Sequence, residues 1–360
     1  MKTALLHYWL TNIRGGEKVL KQLSLLYPEA DIFTHACNRE IFNSFLPGHR
    51  IKETFISFLP GARKNCQKYL PLMPAALKQL DLRGYDLIIS SESGPAKGIR
   101  KPAGSRHICY CHTPMRYLWD MYQEYYNSAG ISARIAMKLF KNHLRFYDIA
   151  SAENVDYFIA NSRFVSERIQ RIYKRESTVI HPPVDVGFFS SFSGEKQDYY
   201  LVAGHLQHYK NPRLALDVFC QNGHRLIVAG TGPLEKQLIR EYSGKNITFT
   251  GSVSDETLRR LYGSARALIF PGIEDFGIVP LEAQAAGTPV IALRAGGALE
   301  TVVEGTTGMF FDLPEPASLA DAVRQFEQSE FSSEKCRRHA QTFSSEIFRE
   351  KIRNFIDSVS

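Results

Sequence analysis

The chain has 360 residues, a length that favours two domains of roughly 150 to 200 residues each over one ordinary core. Its 44% hydrophobic and 22% charged residues are globular values, which exclude a disordered or fibrous protein. Residues 1–180 contain 26 Lys and Arg against 15 Asp and Glu, a net charge of +11, whereas residues 181–360 contain 18 against 22, a net charge of −4. The basic half predicts an anionic partner, either nucleic acid or an anionic membrane surface.

The six cysteines have no regular spacing, and no second cluster of Cys or His accompanies the closest pair in "CYC". We therefore expect reduced, mostly buried thiols in a cytosolic protein. The first apolar run is too short for a signal peptide, and no run of 18 apolar residues occurs. These features predict a protein that is neither exported nor membrane-spanning, in the cytoplasm or at the inner face of the cell membrane.

Ten short apolar runs are separated by segments of helical length. The first half contains TALLHYW, DLIISS, RHICYCH, VDYFIAN and STVIHPP, and the second contains YYLVAG, RLIVAG, ITFTG, RALIFPG and PVIAL. Continuous apolar runs that alternate with helices are typical of parallel strands covered on both faces. We therefore predict two Rossmann-like, doubly wound α/β domains, whose ligands bind beyond the carboxyl ends of the strands.

The domain boundary is predicted near the midpoint of the chain. The segment SRFVSERIQRIYKRE has the apolar spacing of an amphipathic helix with Ser162 as its N-cap. The two prolines of VIHPPVDVGFF then interrupt regular structure where the charge balance changes sign. We expect domains at 1–182 and 183–342, and a C-terminal helix at 343–360 that crosses back to the first domain.

The stretch 270–293, FPGIEDFGIVPLEAQAAGTPVIAL, combines a strand end, a loop, a helix and the next strand. Pro280 falls in the first helical turn, where its missing N–H is harmless, and Gly287 closes the helix. Backbone N–H groups at the helix start would point out of the sheet edge and form an anion site suited to a diphosphate. These amides belong to Phe276, Gly277, Ile278 and Val279.

Two glutamates flank these amides. Glu274 precedes them in the loop, and Glu282 lies on the helix where it could reach a ribose. Carboxylates on either side of a phosphate site suit a nucleotide-sugar donor. A capping acid and a solvated helix residue explain the same spacing equally well, so spacing alone leaves both interpretations open.

Eight segments in order along nearly the whole chain resemble the family 4 retaining glycosyltransferases, which have the two-domain GT-B fold. They are GGEKVL, CHTPMRYLWD, VDYFIANSRFV, VIHPPVDVGFF, AGHLQHYKNP, VAGTGP, ITFTGSVSDETL and EDFGIVPLEAQAAGTPVIA. The resemblance implies two Rossmann-like domains facing a central cleft, the first for the acceptor and the second for the donor. It favours the functional interpretation of the paired glutamates.

The resemblance also implies roles for individual residues. Glu274 would orient the transferred sugar, Glu282 would bind the ribose, and His112 would contact the sugar or the transition state. Lys210 would meet the leaving diphosphate. His205 stands where similar proteins tend to carry an arginine, and its protonation would make donor binding depend on pH. The remaining donor contacts are expected from loops at Gly15, Gly16, Gly230, Gly232 and Val253.

The implied reaction is hexose transfer with retention, and a divalent metal is not required because no Asp-x-Asp motif occurs. No cofactor is expected, since the nucleotide-diphosphate sugar is a substrate. GDP-mannose or a related GDP-deoxyhexose is the first choice of donor and a UDP-sugar the second. The expected acceptor is a lipid-linked glycan in O-antigen or capsule assembly. Two rivals remain open: a hydrolysing sugar-nucleotide epimerase of the same fold, and a non-catalytic sugar-nucleotide-binding scaffold.

Residues 58–80, FLPGARKNCQKYLPLMPAALKQL, mix basic with apolar side chains. A basic amphipathic segment can lie in an anionic membrane interface. A solvated loop and helix explain the same composition. Nucleic acid is disfavoured because no reader motif accompanies the charge.

Overall fold

The structure, a computed structural model, describes residues 1–359 and divides into two compact units. Within the described residues, the first unit comprises residues 1–182 and 348–359, and the second comprises Pro183–Ile347. The first unit contains a seven-stranded parallel sheet in the order β3-β2-β1-β4-β5-β6-β7. Its strands are β1 Thr3–His7, β2 Asp31–Thr34, β3 Ile51–Glu53, β4 Leu87–Glu92, β5 Arg106–Cys111, β6 Tyr157–Ala160 and β7 Ser177–Val179.

Helices connect these strands. They are α1 Gly15–Leu26, α2 Arg39–Phe45, α3 Ala62–Asn65, α4 Met73–Leu77, α5 Tyr122–Ser128, α6 Ile131–Ala152 and α7 Arg163–Tyr173, with 3-10 turns at Phe55–Phe58, Cys66–Leu72 and Ala96–Gly98. The predicted N-cap of α7 is confirmed, because the Ser162 hydroxyl accepts a hydrogen bond from the Val165 N–H at 3.0 Å.

The second unit contains a six-stranded parallel sheet in the order β10-β9-β8-β11-β12-β13. Its strands are β8 Tyr200–Ala203, β9 Leu226–Ala229, β10 Ile247–Gly251, β11 Leu268–Phe270, β12 Val290–Leu293 and β13 Gly308–Phe311. The accompanying helices are α8 Val186–Ser190, α9 Pro212–Asn222, α10 Glu235–Tyr242, α11 Asp255–Ser264, α12 Ile278–Ala285, α13 Ala298–Thr301, α14 Pro316–Glu327 and α15 Ser333–Gln341, with a 3-10 turn at His208–Lys210.

Each sheet is covered on both faces, as its apolar strands predict. All six residues of β4 and all four of β8 and β12 are buried, and separate apolar clusters pack on opposite sides of the second sheet. Strand order reverses between β1 and β4 in the first unit and between β8 and β11 in the second. These two switch points are the places where doubly wound sheets bind ligands.

The last helix, α16 Ser345–Val359, supplies buried side chains to the first unit. Phe348, Ile352 and Ile356 pack in the same apolar cluster as Leu5 of β1 and Leu20 of α1. The Phe348 ring lies edge-on to Tyr110, with ring centres 5.8 Å apart. The core of the first unit is therefore built from both ends of the sequence.

Residues 58–80 do not form one amphipathic helix. The chain bends through α3, the 3-10 turn at Cys66–Leu72 and α4, with Pro71 inside the turn. Cys66 and Met73 are buried in a local core cluster, while the basic residues of this segment stay exposed. Its apolar side therefore faces the protein, apart from the exposed Phe58 and Leu72.

All six cysteines are free thiols, and only Cys220 is partly exposed. None of the helices within residues 1–359 combines the length and the apolar character needed to cross a bilayer.

Candidate functional site

The candidate site of the second unit lies at the switch point between β8 and β11. The chain leaves β8 at Ala203 into a loop with Gly204 and His205, and it leaves β11 at Phe270 into the loop 271–277. Because β8 and β11 are parallel neighbours, both loops emerge at the same sheet edge. Sequence segments about 70 residues apart are thereby brought together, as the doubly wound topology requires.

Lys210 and Glu274 form an ion pair at this edge. Lys210 ends the 3-10 turn after β8, and its Nζ lies 2.7 Å from Oε1 of Glu274 in the loop after β11. Both side chains are mostly shielded from water, with 17% and 18% of their surfaces exposed, so the attraction is less screened than at an open surface. The pair presents a fixed cation beside a fixed carboxylate.

His205 lies in the same pocket as this ion pair. Its Nδ1 is 2.7 Å from the Thr231 carbonyl oxygen, which can only accept, so Nδ1 carries the hydrogen and Nε2 has the acceptor role in the neutral ring. His205, Lys210 and Glu274 line a pocket with about 310 Å³ of empty space that is partly open to solvent. The structure therefore brings three predicted site residues together.

Gly230 lets the loop after β9 approach the loop after β8. Its φ is +139°, and a Cβ atom placed on it would lie 1.9 Å from the Gly204 carbonyl oxygen. No larger residue fits there without moving the backbone. Gly232 approaches the Leu206 backbone in the same way. Both predicted glycines therefore pack against residues that line the pocket, Gly204 and Leu206.

Helix α12 starts later than the sequence pattern predicts. Gly277 is the N-cap with a φ of +91°, a left-handed conformation that ends the loop, so the helix begins at Ile278. By helix geometry the N–H groups of Ile278 and Val279 have no intrahelical acceptor, and Pro280 has no N–H. The Phe276 side chain packs in the core, 3% exposed and beside Phe343.

Glu282 is positioned by a tyrosine that sequence reasoning missed. The Tyr262 hydroxyl on α11 donates to Glu282 Oε2 at 3.1 Å, and both residues are buried. Burial, followed by the negative charge of Glu282, raises the pKa of Tyr262 well above its usual value, so its proton stays available for this bond. Tyr262 fixes the carboxylate on the inner side of α12.

Val253 is set apart from these residues. It follows β10, the edge strand two places from β8, and precedes the α11 N-cap Ser254. It is half-buried and does not line the pocket that contains Lys210. A base-binding role for Val253 therefore remains a prediction.

The predicted residues of the first unit gather at its own switch point. Gly15 and Gly16 open α1 after β1, and His112 directly follows β5. A Cβ on Gly16 would lie 3.4 Å from His112 Nε2, 3.4 Å from His7 Cε1 and 3.2 Å from the Tyr8 hydroxyl. The missing side chain lets the start of α1 approach both imidazoles.

His112 is a neutral histidine held by its neighbours. Its Nε2 lies 2.9 Å from the hydroxyl oxygen of Ser91, at the end of β4, and its backbone N–H donates to the Glu92 carbonyl at 2.8 Å. Burial, followed by the charges of His7 and Arg116, lowers the pKa of His112 to about 3. At neutral pH the ring can therefore exchange hydrogen bonds with hydroxyl groups without carrying a charge.

A second buried pair in the first unit escaped sequence reasoning. His7 Nε2 lies 3.4 Å from Glu17 Oε1, with the two residues only 1% and 3% exposed. The other oxygen, Glu17 Oε2, accepts a 2.9 Å hydrogen bond from the Arg14 N–H and closes the first turn of α1. The sequence feature that could have predicted this pair is His7 at the end of a strand, followed by Glu17 directly after two glycines.

Comparison with known families covers nearly the whole chain. The model for "Glycosyltransferase Family 4" matches residues 13–188, and the model for "Glycosyl transferases group 1" matches residues 185–343. These boundaries fall close to the division between the two units at Pro182 and Pro183.

Similar proteins include two named mannosyltransferases. The mouse alpha-1,3/1,6-mannosyltransferase ALG2 is 26% identical over 298 residues, which are 72% of this chain and 69% of the mouse protein. A GDP-mannose-dependent alpha-(1-6)-phosphatidylinositol dimannoside mannosyltransferase of Mycobacterium tuberculosis is 30% identical over 200 residues, 50% of this chain and 52% of that protein. The chain thus spans about half the length of the second relative.

Among solved structures, Anabaena Alr3699/HepE in complex with UDP-glucose has a TM-score of 0.73 and 17% identity, covering 99% of this chain and 100% of that one. This likeness and the two parallel-sheet α/β units confirm the predicted fold class, GT-B. The chain belongs to the group 1, family 4 glycosyltransferases, so the predicted resemblance is confirmed.

Proposed function

We propose that this glycosyltransferase moves a hexose from a nucleoside diphosphate to an acceptor hydroxyl with retention at the anomeric carbon. GDP-mannose or a related GDP-deoxyhexose is the first candidate donor. Support comes from the two similar proteins named as mannosyltransferases, one of them GDP-mannose-dependent. A UDP-sugar is the alternative donor, since the structurally similar HepE was solved with UDP-glucose.

The Lys210–Glu274 pair carries this proposal. In the proposed complex Lys210 stabilises the charge that develops on the leaving diphosphate, and the first-turn amides of α12 add partial positive charge. Glu274 accepts hydrogen bonds from the sugar hydroxyls and so orients the anomeric carbon. Glu282, fixed by Tyr262, binds the ribose.

The reaction breaks the bond between the anomeric carbon and the diphosphate oxygen and forms a bond to the acceptor oxygen. The acceptor proton goes to an oxygen of the leaving diphosphate, which acts as the base. Neither glutamate is then required as a nucleophile, unlike the carboxylate pair of a double-displacement glycosidase. In the first unit, neutral His112 would exchange a hydrogen bond with a sugar hydroxyl. No metal or cofactor enters this scheme.

The proposed acceptor is a lipid-linked glycan of a cell-surface polysaccharide such as O-antigen or capsule, reached at the inner face of the cell membrane. The net charge of +11 in residues 1–180 supports an acceptor carried near an anionic surface.

Thermal-shift measurements with GDP-, UDP-, ADP- and dTDP-sugars test the donor, because a ligand that binds the native state raises the melting temperature by mass action. The expected result is the largest shift with GDP-mannose. Transfer of labelled mannose to lipid extracts should persist in EDTA, and NMR of the product should show the anomeric configuration of the donor.

Three outcomes contradict the proposal. Donor consumption without any acceptor favours the epimerase. Donor binding without turnover on any glycan fraction favours the non-catalytic scaffold. Loss of transfer in EDTA that Mg²⁺ restores overturns the metal-independent scheme.

A further inference from the structure

Helix α6 presents an apolar stripe to solvent on the side away from its buried face. Leu144, Asp148 and Ser151 face the first unit. Phe140 (40%) is exposed on another side of the helix. The exposed large apolar side chains opposite the buried face are Ile131 (80%), Ile135 (57%), Leu139 (71%), Phe146 (74%) and Ile149 (42%). At about 100° per residue these five positions fall within an arc of about 80°, which also contains the exposed Asn142. They form one mainly apolar stripe about 27 Å long. Five such residues aligned on one exposed face exceed what scattered surface exposure explains.

Four cations border this stripe on one side. They are Arg134, Lys138, Lys141 and Arg145, and no Asp or Glu occurs between Glu124 and Asp148. Lys141 Nζ lies 3.8 Å from the centre of the Tyr122 ring, and the Arg145 guanidinium lies 4.8 Å from the Trp119 ring, so aromatic residues hold both charges at the edge of the stripe. Lys138 is exposed.

We propose that this surface, the stripe with its four bordering cations, is the site where the protein docks onto an anionic lipid bilayer. A helix with an apolar face and a basic edge lies in the plane of the interface, with its apolar side chains below the headgroups and its cations among the lipid phosphates. The tyrosine that supports Lys141 belongs to the residue types enriched at the bilayer interface.

A second copy of this chain fits the surface less well. A symmetric contact through the stripe would bring the four cations of each copy close to those of the other, with no carboxylate between residues 125 and 147 to offset them. An anionic bilayer satisfies the apolar stripe and the cations at once.

The membrane contact is thus assigned to α6 instead of residues 58–80. The apolar side chains of residues 58–80 are largely buried in the first unit, whereas those of the α6 stripe are exposed. The docking stands independently of the proposed sugar transfer, because it is measured without donor or acceptor.

The test is sedimentation of the full chain with phosphatidylcholine vesicles, with and without phosphatidylglycerol. Wild-type protein should bind only the anionic vesicles. The variant Ile135→Gln/Leu139→Gln/Phe146→Gln should bind at least about tenfold more weakly, since three apolar side chains no longer enter the interface. The matched control Leu25→Gln/Val303→Gln/Leu313→Gln removes three other exposed apolar side chains and should bind like wild type.

A charge variant tests the other half of the surface. Lys138→Gln/Lys141→Gln should lower the partition onto anionic vesicles by about 30-fold, and added salt should lower wild-type binding. Thermal melts of all variants verify folding, which the exposed positions should preserve.

The proposal is overturned if the triple α6 variant binds anionic vesicles like wild type. It is also overturned if Arg63→Gln/Lys64→Gln/Lys68→Gln abolishes binding while the α6 variants retain it, which would assign the contact to residues 58–80. Light scattering that shows a wild-type dimer, a monomeric α6 variant and no vesicle binding by either would identify the stripe as a contact between copies.

Discussion

Lys210 Nζ and Glu274 Oε1 lie 2.7 Å apart, so the two residues that the family resemblance assigns to the diphosphate and to the sugar are direct partners. Lys210 follows β8 and Glu274 follows β11, so the ion pair links the loops after two neighbouring strands of one sheet. A change at either position therefore removes one ligand-binding group and also releases its partner from a partly buried pair.

We predict that Lys210→Ala lowers kcat/KM for the donor by about 100-fold or more, because one cationic stabiliser of the leaving group is lost. Glu274→Gln should lower kcat by a similar factor, because an amide replaces the carboxylate that orients the sugar. The matched control is Lys236→Ala, an exposed lysine on α10 of the same unit. Steady-state kinetics measure these effects. A kcat/KM of Lys210→Ala within threefold of the wild-type value would exclude a role of Lys210 in stabilising the leaving diphosphate.

Tyr262→Phe tests whether a fixed Glu282 carboxylate matters for the nucleotide. The change removes the 3.1 Å hydrogen bond and leaves the aromatic packing intact. Loss of one hydrogen bond to a charged group should weaken nucleotide binding by about tenfold, and Glu282→Ala should weaken it further. Calorimetric titration with GDP measures both variants. Unchanged affinity in Glu282→Ala would remove Glu282 from the binding site.

Gly230→Ala should destabilise the second unit by about 2 to 4 kcal/mol, since the new Cβ would lie 1.9 Å from the Gly204 carbonyl oxygen at a φ of +139°. Gly223→Ala is the matched control, with a φ of +78° and no atom within 4 Å of the new Cβ. It should cost about 1 kcal/mol from backbone conformation alone. Urea unfolding measures both, and equal losses would refute the close approach.

Besides His112, whose pKa is lowered to about 3, two further buried histidines predict acid sensitivity of the first unit. Burial lowers the pKa of His35 to about 3 and, despite the hydrogen bond to the Asn154 carbonyl, that of His107 to about 4. The unfolded chain binds these protons at higher pH than the native state does, so stability is full above about pH 6.5 and falls as the pH drops towards 4. Each histidine contributes a slope of about 1.4 kcal/mol per pH unit.

His107→Gln should therefore lower the slope of the unfolding free energy against pH by about 1.4 kcal/mol per pH unit. The variant should also lose stability at neutral pH. Its partners, the Ser90 hydroxyl and the Asn154 carbonyl, lie 2.8 and 3.1 Å from the ring nitrogens in the wild type. Urea denaturation at several pH values gives the slope. An identical slope in the variant would show that another group governs the acid response.

The sequence predicted ten of the strands because buried parallel strands appear as uninterrupted apolar runs. It missed β2, β3 and β13. β3, with the sequence IKE, is an edge strand with only its first residue buried, so it carries no apolar run to detect. The GT-B fold was nevertheless predictable, since the missed strands only extend the two sheets.

The identity of the candidate site residues was predictable from the sequence, but most of the contacts between them were not. Motif resemblance identified Lys210, Glu274 and Glu282, yet neither the Lys210–Glu274 contact nor the hydrogen bond from Tyr262 could be derived from spacing. Those partners lie 64 and 20 residues apart and meet only through the order of the strands and the packing of α11 on α12. The exposed stripe of α6 escaped notice because its second apolar face becomes visible only once the buried face is known.

The contribution of α16 to the first unit has a consequence for biosynthesis. Domains usually acquire their structure in the order in which the ribosome releases them. Here the amino-terminal unit lacks Phe348, Ile352 and Ile356 until residues 183–347 have been translated, and residues 183–347 form an uninterrupted module. The half that is translated first should therefore be the last to mature, with its hydrophobic surface in need of protection while the later module folds.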